Sequence, residues 1–372
     1  MMKKKIVLVT LSLGGGGAEK ILSRLILNLH NDFDIVLVTF YRKGRYLEEL
    51  VSLPGLEYHC LNAENGNTLS FAIRLRKIIK IASPDKVLSF LYYPNIVTYL
   101  CMTGTDIPLI LSERSNHRLY LTNSFKHRVW KWLLGKAYLK ATSIITVSNE
   151  SKTTIVSDFN VTAEKICTIY NGISFPLLDR LKAEPIDDFT FRKDTKYVIA
   201  VGNFSPAKNY LLLLESFNLF HSRYKSTSLI ILGTGELENE IRNRIILLGL
   251  SDAIHLLGYC QNPYKYLAAA TCYVLSSQWE GFPNSLLEAM YINGHVISTN
   301  CPTGPSEIIS HNEDGILGRL NNPEDLAVAM ERLCFDEEVR NYIFKNSRIK
   351  IAKFDEKIMI DKYREIFNKE VI

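Results

Sequence analysis

The sequence lacks the features that mark disulfide-bonded, membrane-spanning and metal-binding proteins. Its seven cysteines are odd in number and lie at least twelve positions apart, so neither a disulfide framework nor a CxxC zinc motif is present. No apolar run reaches the roughly 18 residues that a membrane-spanning helix needs. The eight histidines show no paired ligand spacing, and we therefore expect no bound metal.

The cysteine pattern also bears on location. Free thiols at wide spacing are typical of a protein from a reducing compartment, and we expect a cytoplasmic one. Three lysines at 3–5 followed by the mainly apolar residues 6–13 imitate a signal peptide. Thr10 and Ser12 interrupt that apolar run, however, and a charged amphipathic helix follows where a cleavage site would lie.

What the sequence does contain is the composition of a packed protein of about two domains. It has 372 residues, of which 47% are hydrophobic and 22% charged. The net charge of +5 is unevenly shared, because residues 1–195 hold 26 Lys and Arg against 18 Asp and Glu, while residues 196–372 hold 18 against 21. A basic half predicts a surface that faces phosphates, either of lipid or of nucleic acid.

Strand-like and helix-like segments alternate along the chain in two series. Such alternation predicts parallel, doubly wound sheets. Between the two series, residues 174–195 mix prolines, acids and bases without periodicity, which is typical of a linker. We therefore expect a first Rossmann-like domain at 1–175, a linker at 176–195, a second Rossmann-like domain at 196–354, and a C-terminal helix at about 355–372 that packs back on the first domain.

A run of four glycines at 14–17 lies where the first strand gives way to a helix. Backbone amides at such a position can approach a phosphate or a sugar closely. The run does not complete the dinucleotide fingerprint GxGxxG, because Glu19 or Lys20 stands where the third glycine belongs. A tight turn without a ligand is the alternative interpretation.

The most informative segment is SSQWEGFPNSLLEAM at 276–290, which predicts a strand end, a loop and a helix. Glu280 lies on the loop and can meet a sugar hydroxyl. Glu288 is expected in the first turn of the helix, where it can hold a ribose diol, although an acid at a helix start is also common without any ligand. Backbone amides near Asn284, Ser285 and Leu286 are expected to face an anion.

A second strand, glycine and loop pattern, VIAVGNFSPAK at 198–208, places Lys208 shortly before a helix. A lysine at this point can neutralise a departing diphosphate. The alternative is a solvated surface lysine.

Together these residues resemble glycosyltransferase family 4, whose members are retaining enzymes with the GT-B fold. The resemblance covers nearly the whole chain and rests on several motifs in the right order and spacing. The motifs are the glycine-rich loop, residues 145–148 and 169–172, Gly202 with Lys208, LGTG at 232–235, Leu257 with Gly258, the segment 280–288, and GPSEI at 304–308.

The resemblance implies roles for individual residues around a UDP-sugar donor. Glu280 would bind hexose hydroxyls, Glu288 the ribose, and Lys208 the diphosphate. The loop segment implied in donor binding also includes Phe282, and amides of Asn284, Ser285 and Leu286 would assist Lys208. The segment around Tyr259 would contact the base, and Gly15, Gly16 and Gly17 would approach donor and acceptor from the first domain.

The chain departs from the family pattern in two places. Asn203 follows Gly202 where the family commonly has an arginine, so one expected cation for the diphosphate is missing. Arg114, near the end of a strand of the first domain, is our candidate substitute. The segment SERSNH stands where many members place a histidine near the acceptor, which makes Glu113, Arg114 and His117 candidates for acceptor or diphosphate binding.

Two further features concern metal and membrane. The single Asp-x-Asp, Asp32 with Asp34, precedes a strand, whereas ligands of open parallel sheets gather at the carboxyl ends. The segment 126–140 mixes bases and large apolar residues on a predicted helix. It either lies on an anionic membrane surface or is an ordinary amphipathic helix of the first domain. Nucleic acid is not expected, because no known binding pattern occurs.

The sequence is therefore interpreted as an α/β protein with the GT-B fold, two Rossmann-like doubly wound domains facing each other across a cleft. The resemblance implies that it transfers a hexose or N-acetylhexosamine from a UDP-sugar to a glycan in bacterial surface polysaccharide synthesis. The expected acceptor is carried on a polyprenyl diphosphate lipid at the cytoplasmic face of the inner membrane. The alternatives are a nucleotide-sugar epimerase, an NADP-dependent oxidoreductase that uses Arg42 and Lys43, and a non-catalytic sugar-binding relative.

Overall fold

The computed structural model describes residues 3–64, 66–119, 121 and 124–370. The chain forms two compact units. The first consists of Met1–Gly172 with Lys357–Ile372, and the second is Ile173–Glu356. None of the described helices is both long enough and apolar enough to cross a bilayer.

A seven-stranded parallel sheet forms the centre of the first unit. The strands are β1 (Lys5–Thr10), β2 (Asp34–Thr39), β3 (Glu57–Cys60), β4 (Lys86–Phe90), β5 (Leu109–Glu113), β6 (Ser143–Thr146) and β7 (Ile166–Thr168). Their order is β3-β2-β1-β4-β5-β6-β7, so the chain reverses its direction of travel across the sheet between β1 and β4. This is the doubly wound arrangement predicted from the alternating segments.

Helices cover both faces of this sheet. They are α1 (Gly17–Leu29), α2 (Leu47–Val51), α3 (Thr68–Ala82), α4 (Tyr92–Met102), α5 (Phe125–Lys140) and α6 (Asn149–Phe159). Helices α3 to α6 pack in one apolar cluster, which includes Phe71, Ile96, Leu134 and Ile155. Helices α1 and α2 pack in a second cluster on the opposite face.

The last helix, α15 (Glu356–Asn368), completes the second face of the first unit. Phe367 meets Phe33 edge to face at 5.3 Å, and the buried Tyr363 ring stacks on Phe90 at 6.5 Å. The buried Lys86 donates from Nζ to the carbonyl of Ile366 at 2.7 Å, near the C-terminal end of the helix. A cation at that end satisfies carbonyls that have no partner within the helix and complements the helix dipole.

The second unit contains a six-stranded parallel sheet with the same winding. Its strands are β8 (Lys196–Val201), β9 (Thr227–Leu232), β10 (Ile254–Gly258), β11 (Cys272–Leu275), β12 (Val296–Thr299) and β13 (Ile316–Gly318), in the order β10-β9-β8-β11-β12-β13. Its helices are α7 (Phe175–Lys182), α8 (Tyr210–Arg223), α9 (Glu238–Leu247), α10 (Tyr264–Ala269), α11 (Asn284–Ile292), α12 (Pro305–Ile308), α13 (Pro323–Phe335) and α14 (Glu337–Ile351).

The segment 176–195, for which the sequence predicts a linker, begins with helical structure. Helix α7 is part of the second unit, and its Phe175 stacks on Tyr291 of α11 at 4.4 Å with the rings almost parallel. The Tyr291 hydroxyl also donates to Asp179 at 2.8 Å. The helix packs against α10 and α11 through Leu178 and Phe175, but the surrounding prolines and charges leave too little periodicity to predict it from the sequence.

We predict that Tyr363→Ala destabilises the first unit by about 3–5 kcal/mol, because it removes a fully buried ring between the sheet and α15. Urea unfolding followed by circular dichroism measures this loss. Lys362→Ala, an exposed neighbour on the same helix, is the matched control and should change stability by less than about 0.5 kcal/mol. Equal unfolding midpoints for the two variants would contradict a structural role for α15.

Candidate functional site

The polar residues of the second unit gather where its sheet reverses direction. Strands β8 and β11 are neighbours, but the chain leaves β8 toward β9 and leaves β11 toward β12. The loops that follow these two strands therefore diverge and leave a crevice at the carboxyl edge, where ligands of open α/β sheets bind.

Backbone and side-chain hydrogen bonds hold these two loops together. The Ser276 hydroxyl donates to the carbonyl of Lys208 at 2.8 Å, and the amide of Gln278 donates to the carbonyl of Ala207 at 2.8 Å. Residues 206–208 form one turn of 3-10 helix, and Asn209 adopts a left-handed conformation before α8. This short turn fixes the backbone from which the Lys208 side chain extends.

An ion pair joins the tips of the two loops. Lys208 Nζ lies 2.6 Å from Glu280 Oε1, and the Ser277 hydroxyl donates to the same oxygen at 2.6 Å. Within the described part of the chain, no group donates to Glu280 Oε2. Glu280 is thus oriented through one carboxylate oxygen while the other is available to a hydroxyl-bearing ligand.

The backbone of Glu280 is held by a turn that the sequence analysis did not assign to the site. The Glu280 amide donates to the carbonyl of Pro302 at 3.3 Å, and the Thr303 hydroxyl donates to the carbonyl of Glu280. Thr303 has φ +61° and Gly304 has φ +97°, so two successive residues occupy the region that favours glycine. Strain of this kind is concentrated at functional sites. The sequence signal was the threonine immediately before the GPSEI motif.

Glu288 lies in the second turn of α11 and not in the first, because the helix begins at Asn284. Its side chain is only 7% exposed. Charged side chains are seldom buried this deeply without an interaction that compensates them, and Glu288 interacts with other groups of the protein. Its contact with a ribose diol stays a prediction.

The start of α11 offers fewer amides than expected. The amide of Leu286 donates to the carbonyl of Pro283 at 3.1 Å, so it is not available to an anion. Ser285 is fixed by the Tyr273 hydroxyl, which lies 2.8 Å from its Oγ. Phe282, two residues before the start of the helix, is buried and packs on Phe354 with a ring-centroid distance of 5.8 Å, which fixes the loop against the core.

The groups surrounding Glu280 are held neutral. Burial raises the pKa of the Cys301 thiol to about 12, and the nearby charge of Glu280 adds to this shift. Burial likewise raises the pKa of Tyr210 and of Tyr273, with Glu280 again a secondary cause. Cys301 is therefore not a thiolate nucleophile.

The remaining residues predicted for donor binding lie on neighbouring loops of the same edge. Asn203 is exposed two residues after the end of β8, and Tyr259 is exposed directly after β10. Gly258, before Tyr259, has φ +73°, and its carbonyl accepts a hydrogen bond from the amide of Gly233 at 2.8 Å. The loops after β8, β9 and β10 thus lie side by side at the carboxyl ends of their strands.

The first unit has an equivalent reversal point between β1 and β4. The glycine-rich loop after β1 leads into α1, which begins at Gly17. A Cβ built at Gly16 would lie 2.4 Å from Glu19 Oε2, so the Glu19 carboxylate folds over the start of the helix, whereas Gly15 has ordinary space. After β4, Leu91 is held at φ +76°, a strained position that the sequence did not indicate.

Glu113 and Arg114 are internal residues of the first unit. Glu113 ends β5 and accepts a hydrogen bond from the buried Tyr138 hydroxyl at 2.5 Å. Arg114 donates to Asn171 at 2.5 Å and to the Tyr363 hydroxyl at 3.4 Å, with its guanidinium 5.2 Å from the Phe90 ring centroid. Arg114 connects the sheet to α15 in this structure and does not present a surface cation.

His117 is also buried. Its Nε2 lies 2.8 Å from the carboxylate of Asp158, which Arg118 and Lys131 bind as well. These hydrogen bonds, with that of Arg118 the largest cause, hold the pKa of Asp158 well below its usual range. The three acceptor candidates therefore have structural partners, and their proposed contacts with a ligand stay predictions.

The Asp-x-Asp pair has a structural explanation. Asp32 pairs with Arg364 of α15 at 3.0 Å, and Asp34 is the first residue of β2. Among the residues that the structure describes, no group of three or more metal-ligating side chains occurs.

Family comparisons assign the chain. Residues 15–175 match the family described as Glycosyltransferase Family 4, and residues 182–350 match Glycosyl transferases group 1. The chain belongs to glycosyltransferase family 4. This membership favours the glycosyltransferase over the epimerase and oxidoreductase alternatives.

Two similar relatives span almost the whole chain of this glycosyltransferase. An N-acetylgalactosamine-N,N'-diacetylbacillosaminyl-diphospho-undecaprenol 4-alpha-N-acetylgalactosaminyltransferase of Campylobacter jejuni is 27% identical over 96% of this chain and 97% of its own. A UDP-Gal:alpha-D-GlcNAc-diphosphoundecaprenol alpha-1,3-galactosyltransferase of Escherichia coli is 28% identical over 88% of this chain and 86% of its own.

Solved structures share the fold. HepE of Anabaena, crystallised with UDP and glucose, superposes with a TM-score of 0.82 over 99% of this chain and 100% of its own, at 18% identity. The lipopolysaccharide outer core galactosyltransferase WaaB gives a TM-score of 0.75 over 98% and 100%, at 20% identity. The glycosyltransferase therefore has the GT-B fold, with two Rossmann-like units.

We predict that Gly304→Ala disturbs the Glu280 loop. A Cβ at Gly304 would lie 2.7 Å from Pro283 Cδ, and the residue also needs φ +97°. Gly249→Ala is the matched control, because Gly249 has φ +66° but nothing within 4 Å. Urea unfolding should show Gly304→Ala to be less stable than Gly249→Ala by about 1–3 kcal/mol. Equal losses of stability in the two variants would mean that the turn at 303–304 accommodates a Cβ without an energetic penalty.

Proposed function

We propose that this enzyme is a retaining glycosyltransferase that moves a hexose or N-acetylhexosamine from a UDP-sugar to a glycan on a polyprenyl diphosphate lipid. It would act at the cytoplasmic face of the inner membrane in the synthesis of a bacterial surface polysaccharide. The observation that carries the proposal is the pairing of Lys208 with Glu280 at the carboxyl edge of the second sheet, on the same edge as α11 and Glu288.

The charges of this edge suit the two ends of a nucleotide sugar. Lys208 supplies a cation for the diphosphate, while Glu280 and Glu288 supply acceptors for hydroxyl groups of hexose and ribose. A lysine ammonium has three N–H donors, and one of them is engaged by Glu280. Lys208 can therefore keep Glu280 oriented while its other donors bind diphosphate oxygens.

Lys208 also acts when the donor bond breaks. The bond between the anomeric carbon and the diphosphate oxygen lengthens, and negative charge accumulates on the departing UDP. The Lys208 ammonium is already held by Glu280, which Ser277 orients in turn. It can therefore stabilise that charge without reorganisation. Asn203, in place of the usual arginine, leaves Lys208 with a larger share of this task.

Retention follows if the acceptor attacks from the face that UDP leaves. The acceptor hydroxyl oxygen bonds to the anomeric carbon as the diphosphate departs, and the hydroxyl proton passes to a departing diphosphate oxygen. Glu280 is engaged through Oε1 by Lys208 and Ser277, which suits a residue that orients the sugar better than a covalent nucleophile.

The acceptor class rests on the relatives. The two relatives described above carry names that specify undecaprenol diphosphate acceptors, and both align with most of this chain. A Staphylococcus aureus capsular polysaccharide biosynthesis glycosyltransferase, CapH, is 23% identical over 99% of each chain. From these names we infer that this enzyme also uses a lipid-linked acceptor in surface glycan synthesis.

Glu288→Gln should weaken UDP binding about tenfold to a hundredfold, because it removes the charge from a buried acceptor for the ribose hydroxyls. Calorimetric titration with UDP measures the affinity, and UDP at about 100 times its dissociation constant should stabilise the native enzyme by about 2.7 kcal/mol. Glu240→Gln, on the exposed side of α9, is the control and should bind UDP normally. Unchanged UDP affinity in Glu288→Gln would remove Glu288 from the donor site.

Glu280→Gln should preserve UDP binding and lower kcat about tenfold to a hundredfold, because it weakens the hydrogen bonds to the transferred sugar. UDP release with a polyprenyl-diphosphate glycan acceptor measures turnover, and proton NMR of the product reports its anomeric configuration. Loss of UDP binding together with turnover would assign Glu280 to the nucleotide. A product of inverted configuration, or UDP bound without any transfer, would reject the proposed reaction.

A further inference from the structure

Three adjacent helices of the first unit contain no acidic residue. Helices α3, α4 and α5 form one layer on the same face of the sheet, with α4 packed against both of the others. Asp and Glu are absent from all three segments. Helices α3 and α5 together carry nine bases: Arg74, Arg76, Lys77, Lys80, Lys126, Arg128, Lys131, Lys136 and Lys140.

The outward face of α5 is apolar where an ordinary surface helix is polar. Phe125, Val129 and Trp132 are exposed at a spacing of four and three residues, which aligns them along one side of the helix. Phe125 is 82% exposed and Trp132 is 61% exposed. The core-facing side is a different one, formed by Leu134, Ala137 and Tyr138. The stripe is thus an addition to the normal amphipathic pattern.

Bases without ion-pair partners surround this stripe. Lys126, Arg128 and Lys140 are exposed, and none forms an ion pair with a carboxylate in the part of the chain that the structure describes. Lys136 lies over the Trp132 ring at 5.9 Å. Lys131 differs, because it turns toward Asp158 at 3.2 Å.

Helix α3 repeats the arrangement at the other side of the layer. Leu69, Ile73 and Ile81 are exposed, with Ile81 at 82%. Lys77 and Lys80 lie between the last two of these apolar residues in sequence. Arg76 donates to the carbonyls of Cys101 and Thr103, both at 2.8 Å, and so ties α3 to the end of α4.

We propose that the exposed residues of α3 and α5, here called the basic helical surface, dock on an anionic lipid bilayer. The physical argument is the combination of features: large apolar side chains enter the headgroup region, and unpaired bases attract anionic lipids. Tryptophan suits this depth, since its ring is apolar and its N–H reaches the polar zone. A nucleic acid would match the bases but would leave the Phe125, Val129 and Trp132 stripe in water.

This docking surface goes beyond the proposed reaction, and its membrane role is consistent with a lipid-linked acceptor. It does not depend on the donor site, because binding to vesicles requires neither UDP-sugar nor acceptor. Failure of membrane binding can therefore be distinguished from failure of sugar transfer.

The test is flotation of the full-length enzyme with vesicles that lack any glycan carrier. We expect binding to vesicles of phosphatidylcholine mixed with phosphatidylglycerol, and weaker binding to phosphatidylcholine alone or at high salt. Arg128→Gln combined with Lys140→Gln should weaken partitioning about tenfold. Phe125→Ser combined with Trp132→Ser should weaken it to a similar extent, because both remove apolar area that enters the interface.

Matched variants on the second unit provide the controls. Ile246→Ser with Leu247→Ser removes two equally exposed apolar residues, and Lys225→Gln with Lys345→Gln removes two exposed charges. Both should float as the unmodified enzyme does. Thermal midpoints and UDP affinity should stay unchanged in all four variants. The proposal is overturned if the enzyme ignores anionic vesicles, if the α5 variants float normally, or if the surface retains RNA while ignoring lipid.

Discussion

The ion pair between Lys208 and Glu280 is the contact on which the site depends. It joins two loops that leave neighbouring strands in opposite directions, and it is supported on both sides, by Ser277 at the carboxylate and by Ser276 at the lysine backbone. Every doubly wound sheet has a crevice where its strand order reverses, but the chemistry of the crevice depends on the side chains that line it. Here a cation and an anion are held 2.6 Å apart across the crevice.

The turn at 302–304 shows how backbone strain contributes to that contact. Thr303 and Gly304 both occupy the left-handed half of conformational space, and in return Thr303 and Pro302 bind the backbone of Glu280. The cost of such a conformation is tolerated where the surrounding structure fixes it. The position of Glu280 is therefore determined by three segments that are distant in sequence.

Sequence reasoning predicted the doubly wound sheets, the loops that carry Lys208 and Glu280, and the helix that carries Glu288, because periodicity and strand-end placement are local signals. It missed the short edge strands β3 and β13, whose few residues carry too little pattern. It also proposed Arg114 and His117 as ligand-binding residues, which stays a prediction, but it did not foresee their contacts within the first unit. Their partners, Tyr363 and Asp158, are 249 and 41 positions away, and no local pattern reports such pairings.

The return of α15 to the first unit has a consequence for the order in which the protein acquires structure during synthesis. Residues up to Gly172 leave the ribosome first, but the helix that covers Phe33 and Phe90 is made only after the whole of Ile173–Glu356. Until then the part of this face that α1 and α2 do not cover is exposed, and exposed apolar surface is a target for chaperones or for aggregation. A chain interrupted before Lys357 would contain Lys208, Glu280 and Glu288 and would still expose the apolar surface that α15 covers.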